Sequence, residues 1–517
     1  MLPQVCDHKV ATELLEEIDN GVAIGRSAAA AVVRSANWPS ALLYRDKVSR
    51  IVEDDLRLGR LHGPFVNPPY DTYVVSPLGA FPKRDMTKIR VIHDLSYPHA
   101  ESVNSQIDPA EYSLQYSSVD DAVEACMGLS DPHLANIDIR DAYKSILVRP
   151  QDWHLLGFEW QLGDAEPALF FSRVLSFGLR SAPALFDKFA VVLQKFMVAE
   201  GVADKIIRYV DDFLLVGPSV ESVNLQLEVM IQVARRAGFT IQDSKVAGAC
   251  KCIEFLGIII DTERGVTRIS DDRLAEIRAL LAQWLDKRVC SKRQLLKIIG
   301  KLAFAARVVR SGRAFLGRLI GLSKKIKALH HRVRVSEAAR KDLIWWSECI
   351  ATHNGVSMVR PDFLSGETHH LFTDASNHGY GGYFDGNWFA TSYTGESAPL
   401  VHMSINWREL HAALKALATW GPTIAGQRAV FHIDNSATVF ILRKLYTPVA
   451  DLMDLVRSWC LLLEQFKVKL SIEYISTHDN VDADMLSRGE IDAFLARHAG
   501  VASRVWPEPV WYYDKLV

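Results

Sequence analysis

Ile207-Arg208-Tyr209-Val210-Asp211-Asp212-Phe213-Leu214-Leu215-Val216-Gly217 is the stretch on which the reading of this chain turns. Two β-rich apolar runs flank a pair of adjacent carboxylates, a pattern that predicts a hairpin with the acids at its tip. An isolated Asp-Asp at a turn is ordinarily a solvated loop. The pair gains meaning only if other acids of the chain come to meet it.

One such acid lies upstream. Ala135-Asn136-Ile137-Asp138-Ile139-Arg140-Asp141-Ala142-Tyr143 puts Asp138 at the end of a short strand, before a turn into a helix. Strand-borne carboxylates brought together can bridge two Mg²⁺ ions about 3.5 to 4 Å apart, the arrangement that serves an in-line phosphoryl displacement. Between the two stretches lies Val174-Leu175-Ser176-Phe177-Gly178-Leu179-Arg180-Ser181-Ala182-Pro183-Ala184-Leu185-Phe186. Before them comes Phe81-Pro82-Lys83-Arg84-Asp85-Met86-Thr87-Lys88-Ile89-Arg90-Val91-Ile92-His93-Asp94-Leu95.

With these four ordered motifs the chain resembles the reverse transcriptases of long-terminal-repeat and related retroelements over about residues 60 to 260. Trp153 to Trp160, Asp94 to Pro98 and Ser102-Val103-Asn104 resemble DIRS-like elements in particular. The resemblance implies that Asp138, Asp211 and Asp212 are the catalytic, metal-binding aspartates. It implies that Lys83 and Arg90 grip the incoming triphosphate, that Tyr143 is an aromatic gate beneath the sugar, and that Phe177 and Gly178 lie against nucleotide and template. Lys245 matches a lysine that protonates pyrophosphate. The sequence departs from the usual family form at Ser176, where Pro is common. Phe255-Leu256-Gly257 resembles the primer-grip hairpin.

A second set of acids follows. His370-Leu371-Phe372-Thr373-Asp374-Ala375-Ser376 reads as a strand bearing an acid, and Gly379, Gly381 and Gly382 suit a turn into the next strand. Trp407 to Leu414 places Glu409 in a helix, Val430 to Ser436 places Asp434 at a strand end, and Asn480 to Arg488 adds Asp484. Taken singly, acids at strand ends are commonly helix caps. Four in this order resemble the ribonuclease H domain of retroelements, which implies that Asp374, Glu409, Asp434 and Asp484 bind metal and that His478 assists product release. Asp484 is preferred to Asp482 because Ala483-Asp484-x-Leu486-Ser487-Arg488 fits the family pattern.

Bulk properties frame this reading. A chain of 517 residues exceeds one ordinary core. With 49% hydrophobic and 23% charged residues, it is neither disordered nor a membrane protein in composition. The net charge of −2 argues against a uniformly basic nucleic-acid binder, but the segment Arg273 to Lys341 holds 19 Lys and Arg against 3 acids, so the cations are concentrated there. Within it, a capping-box start at Ser291-x-x-Gln294 precedes apolar Leu295, Ile298, Ile299, Leu302, Ala305, Ala306 and Val309 at helical spacing. Lys292, Arg293, Lys297, Lys301, Arg307 and Arg310 fall on the remaining face, where they suit a phosphate backbone.

Seven cysteines with no second close pair beside Cys250 and Cys252 suggest reduced thiols. Residues 1 to 25 carry acids and no signal pattern, so the expectation is an intracellular protein of cytoplasm or nucleus, with no membrane partner.

The expected architecture is an α+β right-hand polymerase with fingers, palm and thumb, followed by an α/β ribonuclease H-like domain. Its parts would be an N-terminal extension (1–50), fingers and palm (51–265), a basic helical thumb and connection (266–365), the ribonuclease H-like domain (366–490) and a tail (491–517). The resemblance implies two Mg²⁺ or Mn²⁺ ions per site, with RNA template, DNA primer, RNA–DNA hybrid and dNTPs as partners. An RNA-making polymerase is disfavoured by Tyr143 and by the nuclease acids. A non-catalytic nucleic-acid-binding scaffold would be marked by a lost metal ligand, and none is lost.

Overall fold

Asp7 accepts a hydrogen bond from Val10 N and so starts helix α1 (His8–Asn20) in the computed structural model of the chain. The structure describes residues 5–26, 31–83, 88–202, 205–353, 357–358, 368–498 and 503–508, in two units, 1–256 and 257–517. In the first unit, strands β1 (Leu78–Pro82) and β2 (Ile89–His93) form an antiparallel hairpin. Then come β3 (His133–Asp138), helix α2 (Ala182–Ala199), β4 (Ile206–Tyr209), β5 (Asp212–Gly217), helix α3 (Val220–Arg236) and β6 (Ala247–Cys250). Pro183 stands in the first turn of α2, where its missing N–H costs nothing. Ser219 caps α3 by accepting from Ser222 N.

Strands β6, β3, β5 and β4 pair in that order into an antiparallel sheet. Its apolar side chains Ile137, Phe213 and Leu215 pack with Leu185, Phe186 and Leu193 of α2 and with Val223, Leu227 and Met230 of α3. Removing one such buried aromatic costs about 3 to 5 kcal/mol. The sheet ends that carry the acids are therefore anchored by a continuous core.

In the second unit, helices α4 (Asp271–Leu285), α5 (Lys292–Ala305) and α6 (Glu337–His353) come first. The expected capping box is present, with Ser291 and Gln294 satisfying each other's backbone N–H. Leu295, Ile298, Leu302 and Ala305 are buried. The helix stops at Ala305, short of Val309, and the buried Val308 and Val309 lead into a 3₁₀ turn, Arg310–Phe315. There Gly312 admits Trp346, whose ring a Cβ would meet at 2.2 Å. The basic residues are not all offered to solvent. Lys292 donates to the Ile326 carbonyl at 2.6 Å, Lys301 pairs with Glu276 at 2.6 Å, and Arg318 and Arg457 both approach the fully buried Asp342.

The same unit continues with β7 (Thr368–Ala375), β8 (Gly379–Phe384), β9 (Asn387–Ser392), α7 (Ile405–Trp420), β10 (Arg428–Ile433), α8 (Ser436–Lys444), α9 (Ala450–Phe466), β11 (Lys469–Tyr474), α10 (Val481–Arg488) and β12 (Ser503–Arg504). The sheet order is β11-β10-β7-β8-β9-β12, with β7, β10 and β11 parallel and β8 antiparallel to both of its neighbours. Gly379, Gly381 and Gly382, expected in a turn, instead lie within β8. The reason is close approach: a Cβ on Gly381 would stand 2.5 Å from Leu486 Cβ of α10, and one on Gly379 2.2 Å from the Thr391 carbonyl.

The loop expected near residues 360–367 and the aromatic residues Trp511, Tyr512 and Tyr513 lie outside the described residues. No helix among those described is long and apolar enough to cross a membrane.

Candidate active sites

The register of the hairpin sets the first site. Tyr209 pairs with Asp212, which leaves Val210 and Asp211 as a two-residue turn. Asp211 is at the tip, as expected, whereas Asp212 is the first residue of β5. Val210 has φ 55°, a conformation that costs a β-branched residue about 1 to 2 kcal/mol. Asp212 also pairs across the sheet with Asp138, so these two side chains share a face. Contrary to the helix expected after Asp138, the chain turns through Asp141 at φ 52° into a single 3₁₀ turn, Ala142–Ser145.

Burial and the neighbouring carboxylates raise the proton affinity of Asp211 and Asp212. Asp211 is raised by burial and then by Asp138, and Asp212 is pushed up to about 7 by burial, then Asp211 and Asp138. Carboxylates held together against their own repulsion suit a multivalent cation. Lys245 donates to Asp138 Oδ2 at 2.6 Å. Burial lowers its ammonium, but the bond to Asp138 and the charges of Asp138, Asp212 and Asp211 raise it on balance.

Around the acids, the Tyr143 ring lies 5.0 Å from that of Phe177, and the Arg90 guanidinium stands 5.9 Å over Phe177. Burial, then the charge of Asp211, raises the Tyr143 hydroxyl. Gly178 has φ +121°, and a Cβ there would meet the His93 carbonyl oxygen at 2.0 Å, so glycine is required. Lys83 is exposed at the end of β1, with its backbone N–H bonded to the Lys88 carbonyl, beside residues 84–87, which lie outside the described residues.

Sequence reading missed a supporting network. Asp55, in helix Arg45–Arg57, holds Lys144 and Arg60, and Arg60 reaches Asp141 at 3.1 Å. These pairs tether both ends of the turn that carries Tyr143. Asp55 and Lys144 lie 89 residues apart, and no local pattern signals the pairing.

The second site gathers Asp374 at the end of β7, Glu409 in the first turns of α7 and Asp434 just after β10, with one oxygen of each within 4.8 Å of the others. Asn435, not Asp434, caps α8, so Asp434 is free of that duty. Glu409 accepts from Ala375 N at 3.2 Å through Oε1, and its buried Oε2 has no partner among the described residues. Burial, then Asp374 and Asp434, raises Glu409 well above the carboxylate range. Asp374 is pushed up to about 7, first by burial and then by Asp434 and Asp484, against a hydrogen bond from Ser487.

Asp484 is near enough to act on Asp374, yet its carboxylate pairs with Arg488 at 2.8 Å. Asp482 turns away to Arg497 and His498. His478 is exposed in the turn between β11 and α10, next to Thr477, which donates to Asp434 Oδ2 at 2.9 Å. Three of the four expected acids thus converge, and Asp484 stands beside them.

Residues 81–260, which include Asp138, Asp211 and Asp212, match the family described as reverse transcriptase (RNA-dependent DNA polymerase). The chain carries a reverse transcriptase domain.

Among solved structures, 91% of the chain is similar to a foamy viral protease-reverse transcriptase in complex with double-stranded DNA, at 16% identity and TM-score 0.51 over 94% of that chain. A foamy viral protease-reverse transcriptase dRH, also in complex with double-stranded DNA, matches 91% at 15% identity and TM-score 0.52 over 80% of its length. The foamy viral enzyme in complex with RNA/DNA hybrid matches 91% at 15% and 0.52, over 61% of its length. At these identities the likeness concerns the fold. The α+β polymerase fold expected from the sequence is present, with the β6-β3-β5-β4 sheet as palm and an α/β part C-terminal to it.

Proposed function

We propose that the chain is an RNA- and DNA-templated DNA polymerase that also cleaves the RNA strand of RNA–DNA hybrids. The observation that carries this reading is the pair of separate acid clusters, Asp138 with Asp211 and Asp212 at the end of one sheet, and Asp374 and Asp434 at the end of another with Glu409 from helix α7. The proposal includes origin in a long-terminal-repeat or DIRS-like retroelement. It also includes the division into extension (1–50), fingers and palm (51–265), thumb and connection (266–365), ribonuclease H-like domain (366–490) and tail (491–517), and an intracellular place of action.

Both clusters fit divalent ions: Asp211 and Asp212 in the first, and Asp374 and Glu409 in the second, are raised by burial and then by neighbouring carboxylates, and a buried oxygen of Glu409 has no partner among the described residues. Mg²⁺ or Mn²⁺, two per site, would be held by Asp138, Asp211 and Asp212 in the first, and by Asp374, Glu409, Asp434 and Asp484 in the second. When bound, such ions lower the pKa of an attacking hydroxyl or water and neutralise charge on the departing oxygen. In the polymerase site, Arg90 and Lys83 would bind the dNTP phosphates, Phe177 and Gly178 would seat the base pair, and Tyr143 would occupy the space of a 2′-hydroxyl. Lys245 would hold a proton at Nζ for the leaving pyrophosphate. In the nuclease site, exposed His478 would bind and release the cleaved strand.

Primer extension on poly(rA)/oligo(dT) with Mg²⁺ or Mn²⁺, beside cleavage of a labelled RNA–DNA hybrid, tests the reading. Binding to both substrates with neither reaction would favour a non-catalytic scaffold.

A further inference from the structure

Asn104 is a buried polar residue, 5% exposed, that belongs to neither acid cluster. Its side chain is nonetheless engaged on three sides. Nδ2 donates to the Gly178 carbonyl at 2.7 Å and to Ser96 Oγ at 2.9 Å, while Oδ1 accepts from Arg180 N at 2.8 Å. Its own N–H is fixed to the Leu95 carbonyl at 2.9 Å. The segment it grips is otherwise held by His93 N on the Phe177 carbonyl at 3.0 Å, and by Arg180 Nη1 on the Ile107 carbonyl at 2.9 Å.

The held segment is Phe177 to Arg180, and it needs holding. Gly178 sits at φ +121°, where glycine has wide freedom to reorient its peptide. The ring it positions, Phe177, lies between Arg90 and Tyr143. Rotation of the Gly178 peptide would shift that ring and with it the surface against which a nucleotide is seated. A displacement of about 1 Å is enough to cost a large factor in a positioned reaction.

We propose that Asn104 is a positioning residue that clamps the Phe177–Arg180 segment and thereby sets the affinity of the polymerase site for the incoming nucleotide. This rests on the polymerase reading above. Ser96 is the second anchor of the clamp, while the Gly178 carbonyl, which can only accept, and the Arg180 N–H, which can only donate, fix the amide in one orientation.

The test compares wild type, Asn104→Ala and Asn104→Asp by steady-state primer extension with active-site titration, together with amide hydrogen exchange on the metal-free proteins. Asn104→Ala is expected to raise the KM for dNTP at least fivefold, with kcat per active site changed less than threefold. Exchange at Leu179 and Arg180 should rise while the amides of β3 and β5 stay protected. Asn104→Asp keeps the acceptor for Arg180 but, when ionised, loses both donors and sets a negative charge against the Gly178 carbonyl. Protonation restores one donor, so its KM relative to wild type should fall at least threefold from pH 8.5 to pH 6. A merely structural asparagine predicts a lower Tm with KM and its pH profile unchanged.

Should Asn104→Ala not fold, the Asn104→Asp pH profile and exchange decide. Unchanged exchange at Leu179 and Arg180, or KM within twofold of wild type at every pH, would overturn the clamp. Wild-type protein that polymerises nothing would instead sink the polymerase reading, and the exchange comparison would still decide whether Asn104 holds the segment.

Discussion

Replacing Asp374 by Asn probes the repulsion that the acids of the second cluster exert on one another. Burial and the neighbouring Asp434 and Asp484 push the Asp374 carboxyl from 3.8 up to about 7. Because the folded state then keeps a proton that the unfolded chain has released, stability is highest below pH 4 and falls as pH rises toward 7. The difference corresponds to about 4 kcal/mol at pH 8, at 1.36 kcal/mol for each pKa unit. Asp374 is 4% exposed, so little of this is screened by water, although relaxation of Asp434 and Asp484 would return about half. Asp374→Asn is therefore expected to stabilise the metal-free protein at pH 8 by about 2 kcal/mol, a Tm gain of about 4 to 8 °C for a unit of this size, and by almost nothing at pH 4.

Metal reverses the ranking. Mg²⁺ should raise the wild-type Tm of the second unit more at pH 8 than at pH 6 and leave that unit's transition in Asp374→Asn nearly unmoved, because binding requires the ionised carboxylates. Scanning calorimetry in EDTA and in MgCl₂ at the three pH values reads both effects. A destabilised Asp374→Asn at pH 8 in EDTA, or a wild-type Tm indifferent to Mg²⁺, would refute the reasoning.

Four further outcomes are expected. Asp211→Asn should abolish primer extension while hybrid cleavage persists, because the clusters are built from separate elements of separate units; undiminished extension would sink the assignment of the hairpin acids. Tyr143→Ala should lower the dNTP-over-rNTP ratio of kcat/KM by at least about tenfold if the relieved clash is worth about 1.4 kcal/mol. A tyrosine that only packs against Phe177 predicts an equal loss with both substrates. Gln at the exposed Arg293, Lys297 and Arg307 together should flatten the salt dependence of duplex binding by up to about three phosphate contacts, and an unaltered slope would leave these cations as a solvated face. Gly381→Ala should destabilise by about 1 to 3 kcal/mol in thermal melts, since its Cβ meets Leu486 of α10 at 2.5 Å, and a neutral effect would show that α10 moves freely.

What could be read in advance was local. The hairpin of 207–217 was legible because alternation and turn position are encoded within a few residues, and the capping box at Ser291 because cap and partner stand three apart. Where one residue type serves two purposes, the same reading went astray. Glycines at 379, 381 and 382 look like a turn, since a turn and a close approach both exclude Cβ; the neighbours that approach are Thr391 at Gly379, Phe389 and Trp420 at Gly382, and Leu486 of α10 at Gly381, the last more than 100 residues further along the chain. The basic segment suffers from a similar degeneracy. Lys292, Lys301 and Arg318 count equally with Arg293 and Lys297 in a charge tally, but the first three are engaged with Ile326, Glu276 and Asp342.

The residues least visible in sequence are those that hold the visible ones in place. Asp138, Asp211, Asp374 and Glu409 stand out in the sequence because each sits in a short ordered motif, whereas Asp55 and Asn104 act through pairings that span 89 and 74 positions. Many polar residues could supply one hydrogen bond, so type alone carries little information; geometry carries the rest. Asn104 presents one donor and one acceptor to a segment whose glycine cannot fix itself and a second donor to Ser96; an aspartate would lose the donors, and a glutamine would carry the same amide one methylene too far. Such residues hold the turn that carries Tyr143 and the Phe177–Arg180 segment, and their identity becomes meaningful only once the chain has folded.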